Sequence, residues 1–572
     1  MSDPSTDTIS NEEPYDGRSR GPGAWWGARS GGRGGAALRT TAMTAAVSLV
    51  LAGGVATAAY RALQSPTDVL TLVPASAFAV AAVDLSLPGG QDGSLATFAN
   101  HFPDSVTRQG SGSTADRILR AIFRGSSDPH VDYDTDLKPW LGDHVAVAGW
   151  TDHGSPRLEV LVESTDDGSA RDHLSHLMGS NGGLVVRDGY AVISDTDQHA
   201  TDALAAAAAK SLTDDATFSA DMARLPDGEA AIGWVDGPAV KTVIGGMFGA
   251  MGAGPLLGGL GPFGLPGTGN QLDGRVAAGA HVTDDTAQLD LYQVGGDLPA
   301  TTSSTRLTAL PDKTVAALAI GAPGPIVDAA VTAVRTFGAV TDGGVTQTCA
   351  TVHAMPPVGV MVAPGTPHRH RILRALRKAR RRARLSRPAT PATPSYSSVC
   401  PPTAVPPDPL DTFTSLTGLS LPDDLKTLLG DASVISYGGL EIGGPPDVAI
   451  RSHPTDLARA RDLADTLRSH LYSATHVELA VQEVDGDLVL ATSPSYADQV
   501  AAAGHLGDQD VARLALGDVP STVANAGFAD LSRIWPLTGV AADDNVSHLR
   551  AFGFWATREG AALHTQMRVV VR

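Results

Sequence analysis

From residue 66 onward, short runs of alternating apolar and polar positions recur, bounded by Gly, Pro, Asn or Asp. Alternation of period two buries every second side chain and predicts half-buried strands joined by turns. Such strands are predicted at 78–83, 145–150 and 157–163, and again at 315–320, 433–437 and 447–451. Asp188-Gly189 and Asp485-Gly486 each lie between two alternating runs. A two-residue hairpin turn needs positive φ at both central positions, which Asp-Gly supplies. Helical periodicity is predicted between strands at 167–177 and 455–471. In the latter Leu457, Ala460, Leu463, Ala464, Leu467 and Leu471 share one face, as a helix lying on a sheet requires. Ala-rich helices are predicted at 200–209 and 497–503, after the two Asp-Gly turns.

The same succession runs twice. Residues 66–300 open on Leu72-Val73-Pro74 and close on a hairpin of 275–282 with 287–294. Residues 305–572 open on Leu310-Pro311 and close on a hairpin of 550–556 with 561–571. Leu137-Lys138-Pro139-Trp140-Leu141-Gly142-Asp143 precedes a strand in the first copy, and Leu425-Lys426-Thr427-Leu428-Leu429-Gly430-Asp431 in the second. This is the pattern of a tandem duplication. Hairpin-paired strands with intervening helices predict an α+β fold: two tandem copies of an antiparallel or mixed sheet, with helices packed on one face.

Two insertions interrupt the copies. Residues 245–274 are rich in Gly with Met247, Phe248, Leu256 and Phe263 among them, and glycine at that density sustains neither helix nor strand. Residues 349–407 run from Cys349 to beyond Cys400, the two cysteines of the chain. Within them, 368–387 carries ten basic residues and no acid: Arg369, Arg371, Arg374, Arg377, Lys378, Arg380, Arg381, Arg382, Arg384 and Arg387. Ile372, Leu373, Leu376, Ala379 and Ala383 fall near one helical face, so the stretch reads as a basic amphipathic helix. Anionic lipid or an envelope polyanion is the partner it suits, with the protein's own acidic surface as the alternative. Residues 388–407, rich in Pro, Ser and Thr, are expected to be extended.

Residues 40–60 hold no charge, and 21 helical residues span roughly the 30 Å of a bilayer core. Arg18, Arg20, Arg29, Arg33 and Arg39 precede them and Asp68 follows. The positive-inside rule then places a disordered tail, 1–39, in the cytoplasm and the rest of the chain outside as a single-pass membrane protein. A cleaved signal ending near Ala56-Thr57-Ala58 is the rival, against which stand the 39 preceding residues. Outside the membrane, Cys349 and Cys400 are expected to form a disulfide at the foot of the insertion.

The opening Leu-x-Pro strand after the apolar segment, Pro139-Trp140-Leu141-Gly142-Asp143, and the Thr-Asp-x-x-x-Ala-Arg helix start at 165–171 resemble those of bacterial proteins carrying the domain of unknown function DUF3352. The resemblance covers most of 66–572. It implies the fold and the membrane-anchored topology and supplies no catalytic residues.

The formal net charge of −19 argues against nucleic acid as a partner. No serine-hydrolase, zinc-protease or phosphate-loop spacing occurs in the sequence, and no cofactor or metal is implied. Asp132, Asp134 and Asp136 imitate the start of a calcium loop, but Leu137 stands where that loop needs Gly. Asp143 and Asp431 recur across the copies, and a Gly-Asp before a strand reads as a turn or cap. The expected function is a non-enzymatic envelope binding module. The alternative is a hydrolase or transferase with a site between the two copies.

Overall fold

The computed structural model describes residues 67–85, 91–102, 116–117, 119–120, 132–178, 182–226, 229, 231–240, 274–296, 298–343, 409–440, 446–538 and 546–572. Residues 40–60, nearly all of the loop 245–274 and the whole insertion 349–407, with its cysteines and basic positions, lie outside them. Among the described residues no helix is long and apolar enough to cross a membrane. The chain forms two compact units, one of residues 65–86 and 115–215, the other of 87–114 and 216–572.

The first unit holds strands β1 (Ala77–Asp84), β2 (Leu141–Asp152), β3 (Ser155–Ser164), β4 (Gly183–Arg187) and β5 (Tyr190–Ser194). They lie in the order β1-β2-β3-β5-β4, every neighbour antiparallel. The β4–β5 turn has φ of 55° at Asp188 and 81° at Gly189, the geometry Asp-Gly supplies. Helix α1 (Thr67–Leu70) precedes the sheet, α2 (Asp167–Met178) follows β3, and α3 (Asp197–Ala209) follows β5. Ala170 and Leu174 of α2 pack with Trp140, Val162, Val186 and Ala191. The helix is started by Asp166, whose Oδ1 accepts from Gly168 N at 2.9 Å and Ser169 N at 3.1 Å, so two of the unpaired first-turn donors are satisfied. Arg171 donates to the Val186 carbonyl at 2.6 Å and ties the helix to the sheet.

The second unit holds β6 (Ala231–Asp236), β7 (Arg275–Val282), β8 (Thr286–Val294), β9 (Thr302–Ser303), β10 (Ala316–Gly321), β11 (Ala432–Leu440), β12 (Pro446–His453), β13 (Ala480–Val484) and β14 (Asp487–Ala491). It continues with β15 (Thr522–Val523), β16 (Asn525–Asp530), β17 (Leu549–Glu559) and β18 (Ala562–Val571). The order is β13-β14-β12-β11-β10-β16-β17-β18-β8-β7-β6, with β9 and β15 as a separate short ladder. Its helices include α4 (Thr305–Thr308), α5 (Leu457–Thr475), α6 (Pro494–Ala501) and α7 (Asp510–Leu516). Asp456 caps α5 through Arg459 N at 2.9 Å, as Asp166 caps α2. Ala460, Leu463 and Ala464 of α5 pack on Leu488 and Leu490. Tyr496, Ala497 and Val500 of α6 pack with Val489 and Ala491.

The expected architecture is corrected in two respects. The copies do not build one antiparallel or mixed sheet each: in the second unit eleven strands, drawn from both copies, are ordered in one antiparallel sheet. Within the second unit, β8 from the first copy pairs with β18 from the second, in register from Ala562↔Val294 to Val570↔Thr286. Each closing hairpin ends on an open strand edge, and joining the two satisfies both rows of backbone donors and acceptors. Side-chain alternation fixes which face of a strand is buried and carries no information on a partner so distant in sequence. Nor do the helices keep to one face. Alternate residues of β14 meet α5 and α6 on opposite sides, and all five positions are buried. Leu488-Val489-Leu490-Ala491 is the unbroken apolar run of a strand covered on both faces.

Candidate functional site

The strand orders β1-β2-β3-β5-β4 and β10-β11-β12-β14-β13 are the same, so the copies can be matched position by position. Leu212 N donates to Val73 O at 2.7 Å, and Leu506 N to Leu310 O at 3.0 Å. Val73 thus corresponds to Leu310, and three helical positions earlier Leu70 corresponds to Leu307, both fully buried. Val69 then corresponds to Arg306. The Asp-Gly turns match Tyr190 with Asp487, and β-sheet register matches Glu163 with His453.

In the second copy this location is a closed ion cluster. The Asp487 carboxylate is buried and accepts from Arg306 Nη1 and Nη2, each at 3.0 Å, and from Arg451 Nε at 2.7 Å; His453 Nδ1 lies 2.9 Å away. Burial opposes the charged carboxylate, but these hydrogen bonds outweigh it and hold Asp487 below the ordinary carboxylate range. Arg306 comes from α4 and Arg451 from β12.

In the first copy the matched positions are Val69 and Leu161, both fully buried side chains of the core. A cleft of about 310 Å³ lies between α1, the β4–β5 hairpin and α3. Asp68, Thr71, Arg187, Asp188 and Tyr190 supply its polar lining, with Leu72, Val192 and Leu204 as apolar wall. Burial pushes the Tyr190 phenol up, and the charges of Glu163 and Asp68 push it further. Arg187 stands 3.7 Å from Asp188, an exposed pair. Beside the cleft, Glu163 Oε2 accepts from Asp143 N at 2.9 Å and His144 N at 3.0 Å, and lies 2.6 Å from His144 Nδ1. His144 Nε2 is 3.6 Å from the buried carboxylate of Asp84. A Cβ on Gly142 would stand 2.7 Å from Glu163 Cγ, so glycine is what lets that side chain lie across the strand.

A second polar cluster occupies the β8–β18 junction. His564 lies between two carboxylates, with Nε2 2.9 Å from Asp290 Oδ1 and Nδ1 2.9 Å from Glu559 Oε1. Its ring stacks on Tyr292 with centroids 4.1 Å apart, and Trp555 meets it edge-on at 4.9 Å. Gln566 and Gln288 donate to Asp290 at 3.0 and 2.6 Å, and Arg568 donates to Gln288 at 2.9 Å. Burial works against a charged imidazole here, but the hydrogen bonds to Asp290 and Glu559 prevail and raise its pKa. With a carboxylate at each nitrogen, the protonated ring donates twice.

The residues singled out by sequence are mostly structural. Asp132 Oδ1 accepts from Asp134 N at 2.9 Å and Thr135 N at 3.2 Å, Asp136 accepts from Asp132 N at 2.8 Å, and Asp134 holds Arg120 through two bonds of 2.6 Å. These carboxylates are turned to the chain itself. Asp143 and Asp431 begin strand ladders through their backbone groups, Asp431 N donating to His453 O at 3.0 Å. Trp140 is a core residue whose Nε1 donates to Asp136 O at 2.7 Å. Cys349, Cys400, His368, His370 and the ten basic positions lie outside the described residues. Sequence reasoning missed the cleft and the His564 cluster. The cleft wall carries Tyr190 where the second copy carries Asp487, each directly after its Asp-Gly turn.

Comparison with known proteins finds no matching family model, no matching curated protein and no matching solved structure.

Proposed function

We propose that the chain is a single-pass membrane protein, held by residues 40–60 with 1–39 in the cytoplasm, whose outer part serves the cell envelope by binding and not by catalysis. The observation that carries the binding role is an open cleft of about 310 Å³ with Asp68, Arg187, Asp188 and Tyr190 on its wall, Tyr190 standing where the second copy has the enclosed Asp487. The other polar clusters support it. Asp487 is saturated by side-chain partners, and both nitrogens of His564 face carboxylates, which leaves that imidazole no free lone pair with which to take a substrate proton. In the same reading the basic stretch 368–387 meets anionic lipid or an envelope polymer. A reporter active only outside the membrane, fused after Arg572 of the full chain, tests the topology. Activity retained in the membrane fraction after an alkaline carbonate wash is expected. An inactive reporter overturns the anchor, and an active one that washes free shows a released protein.

A further inference from the structure

In the second unit, β7, β8 and β18 carry a run of polar side chains that ends at a cleft. Register sets Gln288 of β8 between His281 of β7 and Arg568 of β18, and two residues along sets Asp290 beside Gln566. Arg568 Nε donates to Gln288 Oε1 at 2.9 Å, Gln288 Nε2 donates to Asp290 Oδ2 at 2.6 Å, and Asp290 is held in turn by His564. This chain fixes the Nε edge of the guanidinium. Its other edge, Nη1 and Nη2, has no hydrogen-bond partner among the described residues. Gly517, which follows α7 with φ of 58°, makes room for that edge: a Cβ there would overlap Nη1 and stand 2.7 Å from Nη2. Arg568, Gln288 and Gly517 border a cleft of about 310 Å³. Of its other lining groups, Arg513 is paired with Asp510, and the Thr283 and Thr286 hydroxyls donate to Asp285. Burial pulls the half-buried Arg568 below the ordinary guanidinium value, and the charges of Asp290 and Asp518 oppose that fall. A half-buried cation held on one edge and unpaired on the other is short of an anion.

We propose that this second-unit cleft binds the carboxylate group of a small organic acid, end-on at Nη1 and Nη2 of Arg568. The Nη edge presents two parallel N–H groups, which a planar carboxylate accepts together. Asp518, exposed on the same wall, disfavours a doubly charged phosphate by repulsion. The volume is that of a small-molecule site, and Leu514 gives the carbon chain of the acid an apolar contact. Gln288 is a positioning residue: it touches the guanidinium and not the ligand. The site goes beyond the binding role above and holds whether or not that role does.

The test uses the full chain in detergent micelles and acetate as the probe, against chloride and inorganic phosphate at matched ionic strength. Phenylglyoxal labels arginine side chains, and peptide mass spectrometry reads the adduct at each position. Acetate at roughly 100 mM should slow labelling of Arg568 about threefold or more relative to chloride, the protection that mass action gives a weak site mostly filled. It should leave Arg558, exposed and outside the cleft, unaltered. Thermal unfolding should rise by roughly 2 °C in acetate over chloride for the parent, and by clearly less for Arg568→Lys, which keeps the charge and loses the fork. If that variant fails to fold, labelling of the parent chain decides alone. Equal labelling of Arg568 in acetate and chloride overturns the site, as does equal slowing of Arg558, which marks a bulk salt effect. Stronger protection by phosphate than by acetate overturns the carboxylate assignment.

Discussion

Glu159 on β3 is fully buried, with neither carboxylate oxygen hydrogen-bonded, and burial pushes its pKa up to about 8. Glu229, against Gly279, is pushed to about 8 by burial and by the charge of Asp290. Both therefore hold a proton at neutral pH in the folded chain. A raised carboxyl pKa means the folded state binds a proton that the unfolded chain has already released above its own value of 4.5. The favourable contribution is complete below that pH, falls as pH rises, and is lost by about pH 8. Glu159→Gln keeps the shape and removes the titration. Thermal unfolding of the variant should lose the Glu159 share of the pH slope over that window while the Glu229 share stays, and above it the variant should exceed the parent by on the order of 3–5 kcal/mol. A variant whose unfolding curve keeps the parent's pH slope would show that Glu159 is hydrated and ionises freely.

At the scale of elements, the most regular device is the capped helix after the third strand of each copy. Thr165-Asp166 with Ala170-Arg171 and Thr455-Asp456 with Ala460-Arg461 repeat one pattern: cap, buried small residue, and basic anchor. Asp166→Ala and Asp456→Ala should each cost about 1 kcal/mol in denaturant unfolding, the usual loss of an N-cap. Loss of far less from either would mean that the helix is held by its sheet contacts alone. These elements were legible in sequence because their causes are local: an Asp cap, an Asp-Gly turn with both φ positive, a period-two run. The continuous apolar run Leu488–Ala491 was equally local, and it already spoke for burial on both faces. The cleft was harder to read. It lies between α1, the β4–β5 hairpin and α3, elements far apart in the chain that are drawn together by bonds such as Leu212 N to Val73 O.

At the scale of the molecule, the junction of β8 and β18 joins the two copies within one unit, and its polar core sets a pH window. Burial opposes the Asp290 charge, but His564, Gln288 and Gln566 hold its pKa below the ordinary 3.8, so its contribution is lost as pH falls through that lowered value. His564 lies above its ordinary 6.5, so its contribution is complete below 6.5 and is lost as pH rises through the raised value. The junction is therefore firmest between those two limits. His564→Gln should make the alkaline limb, to which Glu159 and Glu229 also contribute, shallower, and should move the acid limb to higher pH because Asp290 loses its charged donor; an unchanged profile would exclude His564 as a contributor. This pairing was not legible in the sequence, since nothing in the alternation of β8 names β18. The register has a consequence in time as well as in space. Asp290 and His564 stand 274 positions apart, and strand pairs at such separations form late. A chain delivered from its amino end shows β8 as a bare template long before its mate emerges. Through that interval a neighbouring molecule's β18 could take the vacant place, so synthesis invites an exchange of strands between nascent copies that must be outrun or chaperoned.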